Sequence, residues 1–333
     1  MKKIFIDKRI TGLSKEYANN LFSQRKTNFQ KPKANLQALE VDLRKDSTLT
    51  KYANYVKTII DKYSLLNSMQ PQDFENLAKS DFCGLSEVDL KEKFVKNNKK
   101  RKIVKNKRGK EFHNYIVEAM RYDEARKEIL PYIRKLGIKA CCYCNAQLAI
   151  TTEENNGKIS GKYELDHFYP KSKYPFLCTS FFNLQPSCAH CNKSKGDKKA
   201  KFGLYTTKYE KINPFTFSLE KESIIKYMLK QDCEELKISF YSDDSDLKKD
   251  HEDKFHISAL YETQKDVAEE IIWKSRIYNK SYRKSLSESF SKLFSAKTNF
   301  NRFILGNYDD SKDIHKRPMA KLVQDIARQL GII

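Results

Sequence analysis

The sequence predicts an α+β protein in three parts: a mainly helical N-terminal region over 1–137, a central segment of short strands over 138–215, and a small strand region followed by C-terminal helices over 216–333. Three observations lead there. Apolar residues recur at helical spacing through much of the first and last thirds. Between them, the alternating apolar and polar run Tyr163 to Pro170 reads as a short strand ending at a proline. Four cysteines in two close pairs bracket that run and set it apart from its flanks.

Taken in order, Leu36, Leu39, Leu43, Tyr52, Tyr55, Val56, Ile59 and Ile60 line up at helical spacing between Asn35 and Ser68, and Pro71 is expected to end that segment. A shorter helix is expected over 73–78. A stronger one is expected from Glu111 towards Leu136, interrupted near Pro131 and closed by Gly137. Past the central segment, Asn213-Pro214 marks a turn, and Leu236 to Tyr241 reads as a strand that extends the central platform. The acidic interval Asp243 to Asp246 precedes a long helical pattern from Ile257 to about Ala296, and a final helix is expected over Arg317 to Leu330. Without internal repeats, these apolar rows are read as core.

At 333 residues the chain is long enough for a substantial core and about two domains, and 12% aromatic residues argue against wholesale disorder. A net charge of +21 and a pI near 9.4 attract polyanions, nucleic acid foremost. The charge is densest from Lys91 to Lys110, where 11 of 20 residues are Lys or Arg against one acid, Glu92. That run reads as a phosphate-binding loop or arm centred on Lys99, Lys100, Arg101 and Lys102, or else as a solvated linker. The opening apolar run is three residues long and no later stretch approaches membrane-spanning length. Eight cysteines, half of them closely paired, make no secreted disulfide framework. A cytoplasmic protein is expected, with Cys83, Cys178 and Cys233 as small buried hydrophobes.

The paired cysteines are Cys141/Cys144 and Cys188/Cys191, with 43 residues between the pairs. Two residues between cysteines let both sulfurs of a knuckle reach one ion, so four thiolates suit tetrahedral zinc. Cys141 is favoured over Cys142 because Cys142-x-Cys144 would be a tighter and less usual knuckle. Four sulfurs close the coordination shell, which makes the zinc structural and leaves any chemistry to other residues. Asp166 and His167 stand at the end of the expected strand, where adjacent side chains point to opposite faces and can divide their tasks. After the second pair, Cys191 to Asp197 looks like the opening of a short helix stopped by Gly196, which brings Asn192 back over the strand. One carboxylate and one amide oxygen make a sparse hard shell of the kind magnesium or manganese accepts.

The strings Leu165-Asp-His-Phe-Tyr-Pro-Lys-Ser172, Asn183-Leu-Gln-Pro-Ser-Cys188 and Cys191-Asn-Lys-Ser-Lys-Gly-Asp197 resemble the HNH endonucleases of the His-Me finger class. They are similar above all to HNH proteins of bacterial antiphage systems of the Septu and retron-associated types. The resemblance covers about residues 138 to 215, and the final motif position is asparagine rather than histidine. It implies a ββα-metal finger in which His167 is the general base, Asp166 and Asn192 hold Mg²⁺ or Mn²⁺, and Asn183 braces the loop that orients the histidine. It also implies a controlling partner such as a defence-system ATPase.

On this reading the chain is a metal-dependent endonuclease that hydrolyses phosphodiesters, with DNA the expected substrate and one structural Zn²⁺ per chain. Lys193, Lys195 and Lys198 are candidates for phosphate contacts near the start of the finger helix, helped by its backbone N–H groups, and Lys171 is a weaker one. Two other readings use the same residues. One is an HNH nuclease acting on RNA, since the metal mechanism needs no 2′ hydroxyl. The other is a noncatalytic zinc module that binds nucleic acid or a protein partner, which gives no reason for Asp166, His167 and Asn192 to stand together.

Overall fold

In a computed structural model, residues 1–25, 28–97, 102–291 and 299–333 are described. The architecture is α+β, as expected, with short helices carrying most of the chain and small two- and three-stranded sheets set between them. One hydrophobic cluster runs from Met1 to Ile332 and crosses both expected boundaries, so the three parts share a core.

The N-terminal region is helical, but its helices are shorter and more numerous than the periodicity suggests. The 35–68 pattern is two helices, Pro32–Arg44 and Thr50–Leu66, parted by a 3₁₀ turn at Ser47–Leu49 that the Asp46 carboxylate caps through Thr48 N–H. Pro71 starts a helix, Pro71–Ser80, because a proline at the first helical position gives up only an N–H that would have no partner there. The expected Glu111 to Leu136 helix is three: Phe112–Ala119, Tyr122–Glu128 and Leu130–Leu136. Arg121 breaks the first from the second with φ +59°, a left-handed turn that periodicity cannot reveal.

The described residues of the basic run on either side of 98–101 form strands. Lys93–Asn97 and Lys102–Lys105 pair as an antiparallel hairpin that Lys110–Glu111 extends, and Phe94 and Ile103 drop into the core. Its lysines meet acids on neighbouring elements: Lys96 with Asp42, Lys102 with Asp46 at 3.3 Å, and Lys105 with Glu92. Lys99, Lys100 and Arg101 lie outside the described residues.

In the central segment, Glu164–His167 pairs antiparallel with Leu184–Ser187, placing Asp166 opposite Gln185 and His167 opposite Leu184. The helix Ala189–Lys195 follows directly. A separate hairpin, Ile150–Glu153 with Ile159–Lys162, precedes them. Residues 168–183 loop out between the paired strands and wedge against the N-terminal helices. Tyr17 donates its hydroxyl to Thr179 O, Asn67 O accepts from Phe181 N–H, and the Phe82 and Phe176 rings stack 3.8 Å apart.

Thr216–Leu219 and Ile238–Tyr241 pair with each other and dock on the last helix, Ala320–Gln329, so they do not extend the central strands. The acidic interval belongs to a helix, Ser245–Phe255, whose first turn Asp244 caps. Within the described residues the long C-terminal pattern is divided into Ile257–Glu262, Lys265–Ile277 and Lys280–Ser289, and its expected end near Ala296 lies outside them. No helix among the described residues is long and apolar enough to cross a membrane.

Candidate functional site

Cys141, Cys144, Cys188 and Cys191 converge from two places 43 residues apart, and their four sulfurs lie within 4.8 Å of one another. A tetrahedral zinc with bonds of ~2.3 Å needs sulfurs about 3.8 Å apart, so the cluster is close to that shape and could hold the ion. All four cysteines are buried. Crowding drives the protons apart: hydrogen bonds from the other three hold the Cys188 thiol far below its ordinary range, burial pushes Cys141 up, and hydrogen bonds with the other thiols push Cys144 and Cys191 up. The backbone N–H of Cys191 donates to Cys188 Sγ at 3.4 Å, as the tight turn of a knuckle allows. Cys142 is buried outside the four-sulfur group, its N–H given to Pro186 O, so the Cys141 pairing holds. Cys178 is buried as expected, whereas Cys83 is exposed and Cys233 partly so.

Asp166, His167 and Asn192 line one cavity of about 290 Å³, together with Tyr122, Arg126 and Lys171. The Glu164–His167 strand sends its last two side chains different ways. His167 turns towards Tyr122, the ring centroids 4.7 Å apart, and its Nε2 meets Cys178 O at 3.1 Å. That carbonyl only accepts, so Nε2 carries the proton and Nδ1 keeps the lone pair. The hydrogen bond that the ring makes to protein among the described residues is this one, at Nε2. Burial, and then the Lys171 ammonium, lower the His167 pKa to about 3, which leaves the ring neutral at pH 7.

Asn183 is the fastener of the 168–183 loop. Its Oδ1 accepts from Tyr169 N–H at 2.7 Å, and its Nδ2 donates to Tyr169 O at 3.1 Å and Leu177 O at 3.0 Å. The second carbonyl is next in the chain to Cys178, so the amide that ties the loop also sets the acceptor of the histidine.

Asp166 is enclosed. Its Oδ2 accepts from Tyr143 OH at 2.5 Å and its Oδ1 from Lys195 Nζ at 2.9 Å, and Lys195 donates again to His167 O at 2.8 Å. Lys195 is therefore a buried partner rather than an outward phosphate contact. Lys193 and Lys198 are exposed, but Lys193 and Lys195 are in the last turn of Ala189–Lys195 and Lys198 lies beyond it, away from the helix start. Gly196 ends the helix with φ +54° and ψ −137°, a region glycine tolerates best. Asn192 is half-buried, and its side-chain amide has no protein partner among the described residues. Its oxygen and the unused lone pairs of Asp166 fit a hard divalent cation in kind, against the competition of the Lys195 ammonium.

Sequence reasoning missed Tyr122, Tyr143 and Arg126. Tyr143 sits inside the first knuckle, between Cys142 and Cys144, where no spacing rule assigns it a partner, and only the packing of Tyr122–Glu128 against the strand brings Tyr122 and Arg126 to the cavity.

No protein family and no solved structure matches the chain. Over 76 residues it is 38% identical to the Septu protein PtuB of Bacillus thuringiensis, a match covering 21% of this chain and 26% of that protein. The chain thus spans about a quarter of the length of the curated relative it matches.

Proposed function

We propose that the protein is an HNH endonuclease of the ββα-metal type, hydrolysing phosphodiester bonds in nucleic acid, DNA foremost. The observation that carries the proposal is the state of His167: a buried neutral imidazole, its Nε2–H held by Cys178 O and its Nδ1 keeping the lone pair, beside an aspartate and an asparagine in one cavity. A base must be unprotonated, and burial keeping the His167 ring neutral supports that role. Nδ1 takes a proton from an attacking water, and the charge then on the ring is steadied through Nε2–H by the carbonyl that Asn183 positions.

Asp166 and Asn192 would hold Mg²⁺ or Mn²⁺, which when bound supplies Lewis-acid neutralisation of the charge that builds on phosphate oxygens. The four cysteines would hold Zn²⁺, which would tie the two knuckles together as a structural ion. The similarity to the Septu protein supports a role in antiphage defence, with a further subunit of such a system, for instance an ATPase, as partner. The reading takes the protein as cytoplasmic.

One observation favours a second reading, a noncatalytic zinc module: both Asp166 oxygens are already engaged, by a phenol and an ammonium. The test is direct. Purified chain and its His167→Ala variant are incubated with plasmid, linear DNA and total RNA, each with Mg²⁺, Mn²⁺ or EDTA. Metal-dependent cutting by the parent alone supports the nuclease. Absence of cutting under every condition, or equal cutting by the variant, sinks it.

A further inference from the structure

A second cavity adjoins the one that holds His167. It is larger, about 720 Å³, and the two share Arg126 and Glu164, whose side chains form the ridge between them. Arg126 Nη2 stands 3.7 Å from Glu164 Oε2, beyond hydrogen-bond distance, so the guanidinium keeps its donors for another acceptor.

The wall of the second cavity is apolar on one side, from Leu148, Ala189 and Pro318, and carries the Tyr163 ring, with Gln147 and Lys162 adding polar groups. Leu148 is 58% exposed, so its aliphatic side chain is available at the mouth of this cavity. Tyr163 is held still. Its hydroxyl pairs with Thr151 Oγ1 at 2.9 Å, and Gly161 lies so near that a Cβ there would come within 3.0 Å of the ring. A fixed ring, an aliphatic wall and a cationic ridge leading to a candidate hydrolytic site suit one kind of occupant: a flat aromatic group carried on a phosphate chain.

We infer, resting on the nuclease reading, that this cavity receives an unpaired base from the nucleotide next to the scissile bond, while Arg126 grips the intervening phosphate. An arginine fork matches phosphate oxygens two at a time. Glu164 keeps the guanidinium over the ridge and repels a second phosphate from it. A base within a duplex has both faces covered and its edge paired, so it reaches such a wall only by leaving the stack, which single strands, bulges and flaps allow most readily. The substrate class is nucleic acid with an unpaired nucleotide at the cut, in preference to continuous duplex.

The experiment uses the full chain carrying His167→Ala, so that nothing is cut, and three labelled DNAs of one sequence: a single strand, a duplex with a one-nucleotide bulge, and a blunt duplex. Anisotropy at physiological salt should give binding to the first two about tenfold or more tighter than to the third, the order of one base–aromatic stack. Arg126→Gln and Leu148→Glu, both on exposed side chains, should each bring the bulged duplex to the level of the blunt one. Equal binding of all three DNAs, or a preference that survives both substitutions, overturns the inference. The unmutated chain is assayed for cutting on the same set. Equal cutting of all three overturns the inference and leaves the nuclease standing, whereas neither binding nor cutting of any DNA overturns the inference, and the nuclease falls with it only if total RNA is also left uncut.

Discussion

Lys195 Nζ and Asp166 Oδ1 are 2.9 Å apart inside the protein, their side chains 1% and 4% exposed. The carboxylate and His167 O both accept from this ammonium, which takes the place of water around it. Lys195→Met should therefore strand a buried carboxylate and lower stability by about 3–5 kcal/mol. Urea unfolding of Lys195→Met, Asp166→Asn and the double variant measures this, and the double variant should recover part of the loss. A cost below ~1 kcal/mol, the size for a surface pair, would place the lysine outside.

His167→Ala should reduce cleavage by about 10²–10⁴-fold, the usual span for a positioned base, with zinc content and the unfolding midpoint close to the parent's. Asn183→Ala should act on the same step less directly, by releasing Tyr169 and Leu177 and loosening the Cys178 carbonyl. Its signature is a lower kcat at nearly unchanged KM.

Elemental analysis should find one zinc per chain. Cys144→Ser or Cys188→Ser should lose it and destabilise the protein, because a closed thiolate site contributes folding free energy directly. Cys142→Ser and Cys83→Ser should keep full zinc content, since neither sulfur belongs to the four.

Neutralising Lys193 and Lys198, both exposed, should weaken nucleic-acid binding alike across sequences and flatten its salt dependence by about one unit of slope each, if each contacts a phosphate. Binding titrations from low to moderate salt read this. An unchanged slope removes both from the interface.

Stability should fall as the solution is acidified below pH 6.5. Burial lowers His251 to about 3 and His315 to about 4, so between those values and the ordinary 6.5 the unfolded chain binds more protons than the folded one. The contribution is complete above 6.5 and is lost as pH falls towards 4, at up to ~1.4 kcal/mol per pH unit for each ring. His251 sits among Phe202, Phe215, Phe240 and Phe255, so His251→Phe suits the packing and should remove one such slope from unfolding measured at pH 7 and pH 5.

Much of the site was legible because it depends on short-range spacing. Two residues between cysteines, an Asp-His pair at a strand end and a glycine after Lys195 are local instructions, and the convergence of the four sulfurs and the fastening by Asn183 agree with them. What escaped depends on contacts distant in sequence. Lys195 looks like its charged neighbours until the strand beneath it is folded, and Lys96, Lys102 and Lys105 look like members of an unpaired basic run until Asp42, Asp46 and Glu92 come to meet them. Helix breaks at Arg121 and His256 turn on single left-handed residues, which hydrophobic periodicity does not register.

The first knuckle is pinned by residues from the far end of the chain. Tyr261 OH donates to Cys144 O, His251 Nε2 reaches Tyr143 O, and Asn145 donates from Nδ2 to Ile314 O and accepts at Oδ1 from Lys321 N–H. Residues 138–215, however self-contained their motifs look on paper, are therefore not a cassette. Cut out or grafted elsewhere, they would carry the cysteines without the frame that aims them, and drift by recombination would have to move the last helices along with the finger.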